Sequence, residues 1–231
     1  MVGKNNERSH PGITSELVRG LIYQNLILVR GFLAIACGYV LLQSLSLYLL
    51  HGNDAQYNFS HAYLSLEQIA FVLKEGSQWK YVSLLILPLL LLLKLFLIAI
   101  LFQEGAFTFG LESTFKNFFL TAVKAEFVFL VPLFIKLVWF FYFQKTYDLD
   151  DLQFFSPLSV LSLYNRGEVD QFLAYPLHLL NIFEIVYWIV LAYQLRRTLN
   201  LSPTKSLLFV ASTYGVGLLI WVLLITLLSI A

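Results

Sequence analysis

Residues 82–102 decide which class of fold is open to this chain. They contain the run Leu84-Leu85-Ile86-Leu87-Pro88-Leu89-Leu90-Leu91-Leu92-Leu93, and their only polar side chains are Ser83 and Lys94. A helix rising about 1.5 Å per residue needs about 20 apolar residues to cross a bilayer core roughly 30 Å thick. Residues 82–102 meet that length, and so do 31–50, 118–141, 172–195 and 207–230. The sequence is 59% hydrophobic and 13% charged, with mean hydropathy +0.76. A soluble domain carries roughly 25% charged residues. So much apolar surface must face lipid rather than water. The expected fold is therefore all-α: an integral membrane bundle of about five transmembrane helices over residues 31–231, after an N-terminal segment, residues 1–30.

The N-terminal segment is polar and mixed in charge up to Gly20, which excludes a cleavable signal there. Ile13, Leu17, Val18, Leu21 and Ile22 then recur at helical spacing, with Glu16 and Arg19 off the stripe. This pattern predicts an amphipathic helix on the membrane surface, the alternative being an extension of the first span. In the first loop, Ser65 and Gln68 form a capping box, Leu64 and Ile69 its hydrophobic staple, and Gly76 a stop, which predicts a short separate helix. Asn58-Phe59-Ser60 is a glycosylation sequon in form. Ser156-Pro157 reads as a helix start, and Ser202-Pro203 as a cap followed by a proline at the first helical position.

Positive loops stay cytoplasmic. Lys4, Arg8, Arg19, Arg30, Lys116, Arg196, Arg197 and Lys205 fall on one side of the predicted spans, against Lys74, Lys80, Lys145 and Arg166 on the other. The expected topology is N-terminus cytoplasmic and C-terminus outside.

Chemistry-bearing patterns are sparse. The net charge of +1 gives no basis for a nucleic-acid partner. Cys37 is the single cysteine, so an internal disulfide and a cysteine-built zinc or iron–sulfur site are excluded, and it reads as a small packing residue. No Gly-rich phosphate loop, His-Glu-x-x-His pattern or Gly-x-Ser-x-Gly elbow occurs; Gly105 and Gly110 do not make one. Asp148, Asp150 and Asp151 fail EF-hand spacing, because Gln153 stands at the sixth position and no Glu at the twelfth. They read as a solvated acidic loop. No catalytic residue, metal or cofactor is expected. Gly215 and Gly217 predict close helix packing.

The remaining signal is charge inside the spans. Lys94, Lys124, Glu126, Lys136, His178, Asn181 and Glu184 all fall there. A charge at the centre of a membrane helix costs about 2.5–3.5 kcal/mol on insertion scales, so such residues tend to pair or to line polar cavities. Lys94 and Glu184 each lie about 18 Å from the outer boundary of their spans. That depth predicts a midplane pair, direct or through a water. A single ion pair suits a structural tie between the second and fourth spans better than a relay. Lys136 and Lys124 are expected to snorkel towards their nearer ends, and Glu126 to sit near the cytoplasmic end. His178 is six residues from Glu184, on another helical face, and reads as a structural histidine.

Two stretches carry a family resemblance. One is Gly110-Leu111-Glu112-Ser113-Thr114-Phe115-Lys116, leading on through Ala125, Leu130, Pro132 and Leu133. The other comprises Phe155-Ser156-Pro157-Leu158, Asn181-Ile182-Phe183-Glu184-Ile185 and Ser202-Pro203-Thr204-Lys205-Ser206. Over about the last 130 residues the chain resembles the Yip family of five-span membrane proteins. The resemblance implies a cytoplasmic N-terminus, five spans and a short outer C-terminus. Eukaryotic members interact with Rab GTPases in the ER and Golgi. The family often has Asp where this chain has Asn181, and the N-terminal segment here is short. Both departures point to a bacterial inner-membrane protein, with an ER or Golgi membrane as the alternative. The expected function is a non-enzymatic scaffold, subunit or assembly factor of a membrane complex. The alternatives are a small transporter or channel component using Lys94 and Glu184, and an intramembrane enzyme acting on lipid. The expected partners are the lipid bilayer and other membrane proteins or a second copy of the chain.

Overall fold

The structure is a computed structural model that describes residues 11–49, 66–145, 147, 149–164 and 169–230. It is an all-α membrane bundle. The helices are α1 (Pro11–Leu49), α2 (Leu66–Thr108), α3 (Phe115–Glu126), α4 (Leu130–Val138), α5 (Leu149–Phe154), α6 (Gln171–Leu179), α7 (Ile182–Thr198), α8 (Pro203–Val210) and α9 (Val216–Ile230). A 3-10 turn, Phe127–Phe129, joins α3 to α4, and a π-turn, Ala211–Gly215, joins α8 to α9.

Among the described residues, four segments are long and apolar enough to cross a membrane: Asn25–Tyr48, Val82–Thr108, Phe115–Phe143 and Pro203–Ser229. The expected fourth window, 172–195, is not one continuous helix. It breaks at Leu180 into α6 and α7. The two pieces nonetheless run antiparallel along the whole last span, α7 against α8 and α6 against α9. Together they cover the length of the last span as a broken pair.

The break has a local cause. Asn181 is extended and caps α7: its Oδ1 accepts from Glu184 N at 2.8 Å, while its Nδ2 donates to the His178 carbonyl at 3.0 Å. Broken backbone at membrane depth needs hydrogen-bond partners from protein. The loop after α5 supplies them. Val160 N donates to the Leu180 carbonyl at 2.9 Å, and Ile182 N donates to the Leu158 carbonyl at 3.1 Å. Reaching the break puts Leu158 at φ +57, a left-handed conformation unusual for a leucine.

The 3-10 turn at 127–129 also has a sequence cause. Pro132 lacks an N–H, and its ring crowds the carbonyl four residues back, at Val128. The axis tightens there, directly after Glu126.

Several local expectations need correcting. Pro11–Leu49 is one uninterrupted helix, so the amphipathic stretch continues the first span rather than forming a helix of its own. Leu66–Thr108 is likewise continuous through Gly76, because a glycine within a helix costs only about 1 kcal/mol and a long apolar run outweighs it. Ser65 and the sequon at Asn58 lie outside the described residues, as does Asp148. The loop helix expected at Ser156-Pro157 starts instead at Ser159, whose hydroxyl caps a short 3-10 turn, Val160–Leu163. Cys37 is exposed on the bundle surface rather than packed inside. Other readings hold: Ser202 caps α8 with Pro203 following. A Cβ on Gly215 would lie 2.5 Å from Trp188, and one on Gly217 would lie 2.5 Å from Leu101. Gly105 makes a third close approach, against Thr213 and Phe209.

The core is built from α2, α3, α7 and α8 around Leu95, Phe102, Phe118, Tyr187, Leu191 and Leu195. Large apolar residues cover the outside: Leu85 is 79% exposed, and Leu89, Leu219 and Leu227 are also exposed. An outer surface as greasy as the interior is what lipid contact requires.

Candidate functional site

Two buried carboxylates organise the interior. Glu126, the last residue of α3, is 1% exposed. Its Oε1 accepts from Lys94 Nζ of α2 at 2.6 Å and from the Tyr39 hydroxyl of α1 at 3.0 Å. One oxygen thus ties three helices. Lys94 Nζ also lies 4.2 Å from the Phe129 ring centroid, supplied by the 3-10 turn that follows Glu126. A cation over an aromatic face in a dry setting adds roughly 1–2 kcal/mol. Glu126 Oε2 is buried with no hydrogen-bond partner among the described residues.

The second carboxylate is Glu184, in the first turn of α7 and 9% exposed. Its Oε1 accepts from Trp188 Nε1 at 2.9 Å and from the Tyr214 hydroxyl at 2.9 Å. Tyr214 lies on the π-turn of the last span, so this tie joins α7 to that span.

Aromatic rings fill the space between the two. Phe129 and Tyr187 have centroids 4.8 Å apart, and Tyr187 and Tyr214 5.4 Å apart. Tyr187 is fully buried, and its hydroxyl has no hydrogen-bond partner among the described residues. Its ring centroid is 5.7 Å from Lys94 Nζ.

The expected Lys94–Glu184 ion pair is therefore not the one formed. Lys94 pairs with Glu126, which is buried in the core rather than sitting near the cytoplasmic end. Glu184 is held by neutral donors instead. The reason is connectivity: α2 and α3 are antiparallel neighbours across a short link, and their charged residues meet first.

The other candidates fall apart from this centre. Lys136 points towards the loop end of its helix as expected. Its ammonium ends on the Leu152 carbonyl of α5 at 2.6 Å rather than free in the headgroup layer. Lys124 is exposed on the outer side of α3. His178 is exposed on α6, and its backbone carbonyl accepts from Asn181 Nδ2. Asn181 is a helix cap. Tyr147, in the segment before α5, packs on Leu137, Phe140 and Leu152, and burial pushes its phenol above the usual value. No group of three metal-ligating side chains occurs among the described residues.

A cleft of about 690 Å³ opens between α1, α2 and α4 and ends on this first carboxylate, with Tyr39, Lys94 and Glu126 at its base. Leu87, Leu90 and Leu133 form walls, and Gln43 stands one helical turn from Tyr39 on α1. The sequence reading missed Tyr39, Gln43, Tyr187 and Tyr214. Tyrosines within apolar windows, away from the span ends where headgroup anchors belong, were the available signal.

The architecture and these buried ties define a helical membrane bundle with an ionised centre. Comparison with protein-family models, curated proteins and solved structures finds no match to the chain.

Proposed function

We propose that this chain is a non-enzymatic multi-pass membrane protein, acting as a scaffold or assembly subunit of a larger membrane complex. One observation carries this reading: the interior polar side chains join helices to one another. Tyr39, Lys94 and Glu126 bind α1, α2 and α3 together. Glu184 binds α7 to the last span, and Lys136 holds α5. Such networks rigidify a bundle and fix one arrangement of it. A rigid body with an apolar outer face presents defined helix surfaces to neighbouring membrane proteins.

The Yip-like stretches support the same class. With five crossings, the charge asymmetry favours a cytoplasmic N-terminus and an outer C-terminus. The host membrane in this reading is a bacterial inner membrane, with the ER or Golgi as the alternative.

The test is purification of the full chain from its own host in mild detergent, reading mass and co-purifying proteins together. A stoichiometric partner is expected. A clean homo-oligomer without partners overturns this reading.

A second reading, a small transporter or channel component, draws on a separate observation: Glu126 Oε2 and the Tyr187 hydroxyl are buried and unpartnered beside Lys94. Its measurement is ion or proton flux through proteoliposomes, compared with Glu126→Gln. Equal flux in both proteins sinks it.

A further inference from the structure

The cleft between α1 and α2 has a composition that selects its occupant. Its walls are mostly aliphatic and its base is charged. The Lys94 side chain remains 41% exposed although its carboxylate partner is 1% exposed, and it lines the cleft. An ammonium has three N–H donors. One meets Glu126, and no second hydrogen-bond acceptor for Lys94 occurs among the described residues. The Gln43 amide, half-buried in the same wall, has no hydrogen-bond partner among the described residues. Donors left open at membrane depth cost several kcal/mol each.

Water is a poor filler for most of this space, since an ordered water needs 2–4 polar partners and the aliphatic walls offer few beyond Ser83 and Gln43. An ionised head is also disfavoured. Lys94 and Glu126 already cancel, and a further charge deep in the membrane would stand uncompensated. The remaining match is a neutral head that accepts hydrogen bonds, attached to an apolar chain.

We infer that this cleft binds a membrane-dissolved molecule with a neutral carbonyl-bearing head and an apolar chain. The head oxygen accepts from Lys94, a second polar atom meets Gln43, and the chain lies along Leu87, Leu90 and Leu133. Lipid quinones and neutral acyl esters share this chemistry. Entry is lateral, from the bilayer. The inference is independent of the scaffold reading, because a subunit and a transporter could each carry such a site.

The test uses the full-length protein in mild detergent, titrated with decylbenzoquinone or with monopalmitoylglycerol and read by native mass spectrometry. One saturable adduct per chain is expected. Lys94→Met combined with Glu126→Met removes the ammonium without leaving a buried charge or adding an amide donor, and should weaken binding at least about tenfold, equivalent to about 1.4 kcal/mol. Leu87→Trp should fill the cleft and abolish the adduct. Leu93→Trp, on an exposed position outside the cleft, should leave it unchanged and controls for folding. Binding of the quinone alone or of the ester alone supports the site and identifies the source. Absence of a saturable adduct with both probes overturns the inference, as does an adduct that survives Leu87→Trp. A homodimer that Leu87→Trp dissociates would assign the cleft to a second copy and equally overturn it.

Discussion

Glu126 and Glu184 are both glutamates buried in a membrane bundle, yet they are accommodated differently. Glu184 is closed off: an indole N–H from its own helix and a phenol from the last span converge on one oxygen. Glu126 is matched by a cation that is itself only partly enclosed, and its second oxygen has no partner. Neutral donors stabilise a carboxylate without adding a second charge to desolvate. An ammonium neutralises it more completely, but both ions must then be kept from lipid. The first arrangement builds a tie. The second builds a tie with an open side, and the cleft is on that side.

The comparison predicts unequal sensitivities. Lys94→Met should have the largest effect, because it strands a buried carboxylate: breaking such a pair typically costs about 3–5 kcal/mol, here at the lower end given the exposure of Lys94. Reversible unfolding in mixed micelles measures it, and adding Glu126→Gln should restore most of the loss. Tyr214→Phe should be milder, since Glu184 keeps Trp188; membrane hydrogen bonds average about 0.6 kcal/mol and reach about 1.7 kcal/mol. A loss as large as that of Lys94→Met would mean the two carboxylates are equally exposed to damage. Asn181→Ala removes the α7 cap and should cost about 1 kcal/mol. Faster hydrogen exchange at Glu184 N, which Asn181 Oδ1 accepts from, would accompany it. Lys124→Ser, on the outer surface, should leave the unfolding midpoint unchanged.

Much of the architecture was legible in the sequence, because apolar windows near 20 residues admit little besides membrane helices. The broken crossing was partly legible too. Asn181-Ile182-Phe183-Glu184 has the spacing of a capping box in the middle of an apolar window, which marks a helix start where a continuous span was expected. In the fold Asn181 does cap, but Glu184 turns to Trp188 and Tyr214 instead of reaching back.

The choice of partner for Lys94 was legible by a different count. Measured from the inner ends of the predicted spans, Lys94 and Glu126 each lie eight residues in, about 12 Å. Measuring only from the outer end favoured Glu184. What no pattern could supply was the cleft, since it depends on how α1 and α4 lean against α2. The same holds for the loop that reaches back to Leu180, whose pairing rests on a left-handed Leu158.

The central claim is that the ionised centre belongs to Lys94 and Glu126. A double-mutant cycle tests it most directly, with Lys94→Met combined in turn with Glu126→Gln and with Glu184→Gln, and unfolding free energy as the readout. Coupling well above 1 kcal/mol is expected for the Glu126 cycle, with coupling within about 0.5 kcal/mol for the Glu184 cycle. Strong coupling to Glu184 and near-additivity with Glu126 would contradict the account.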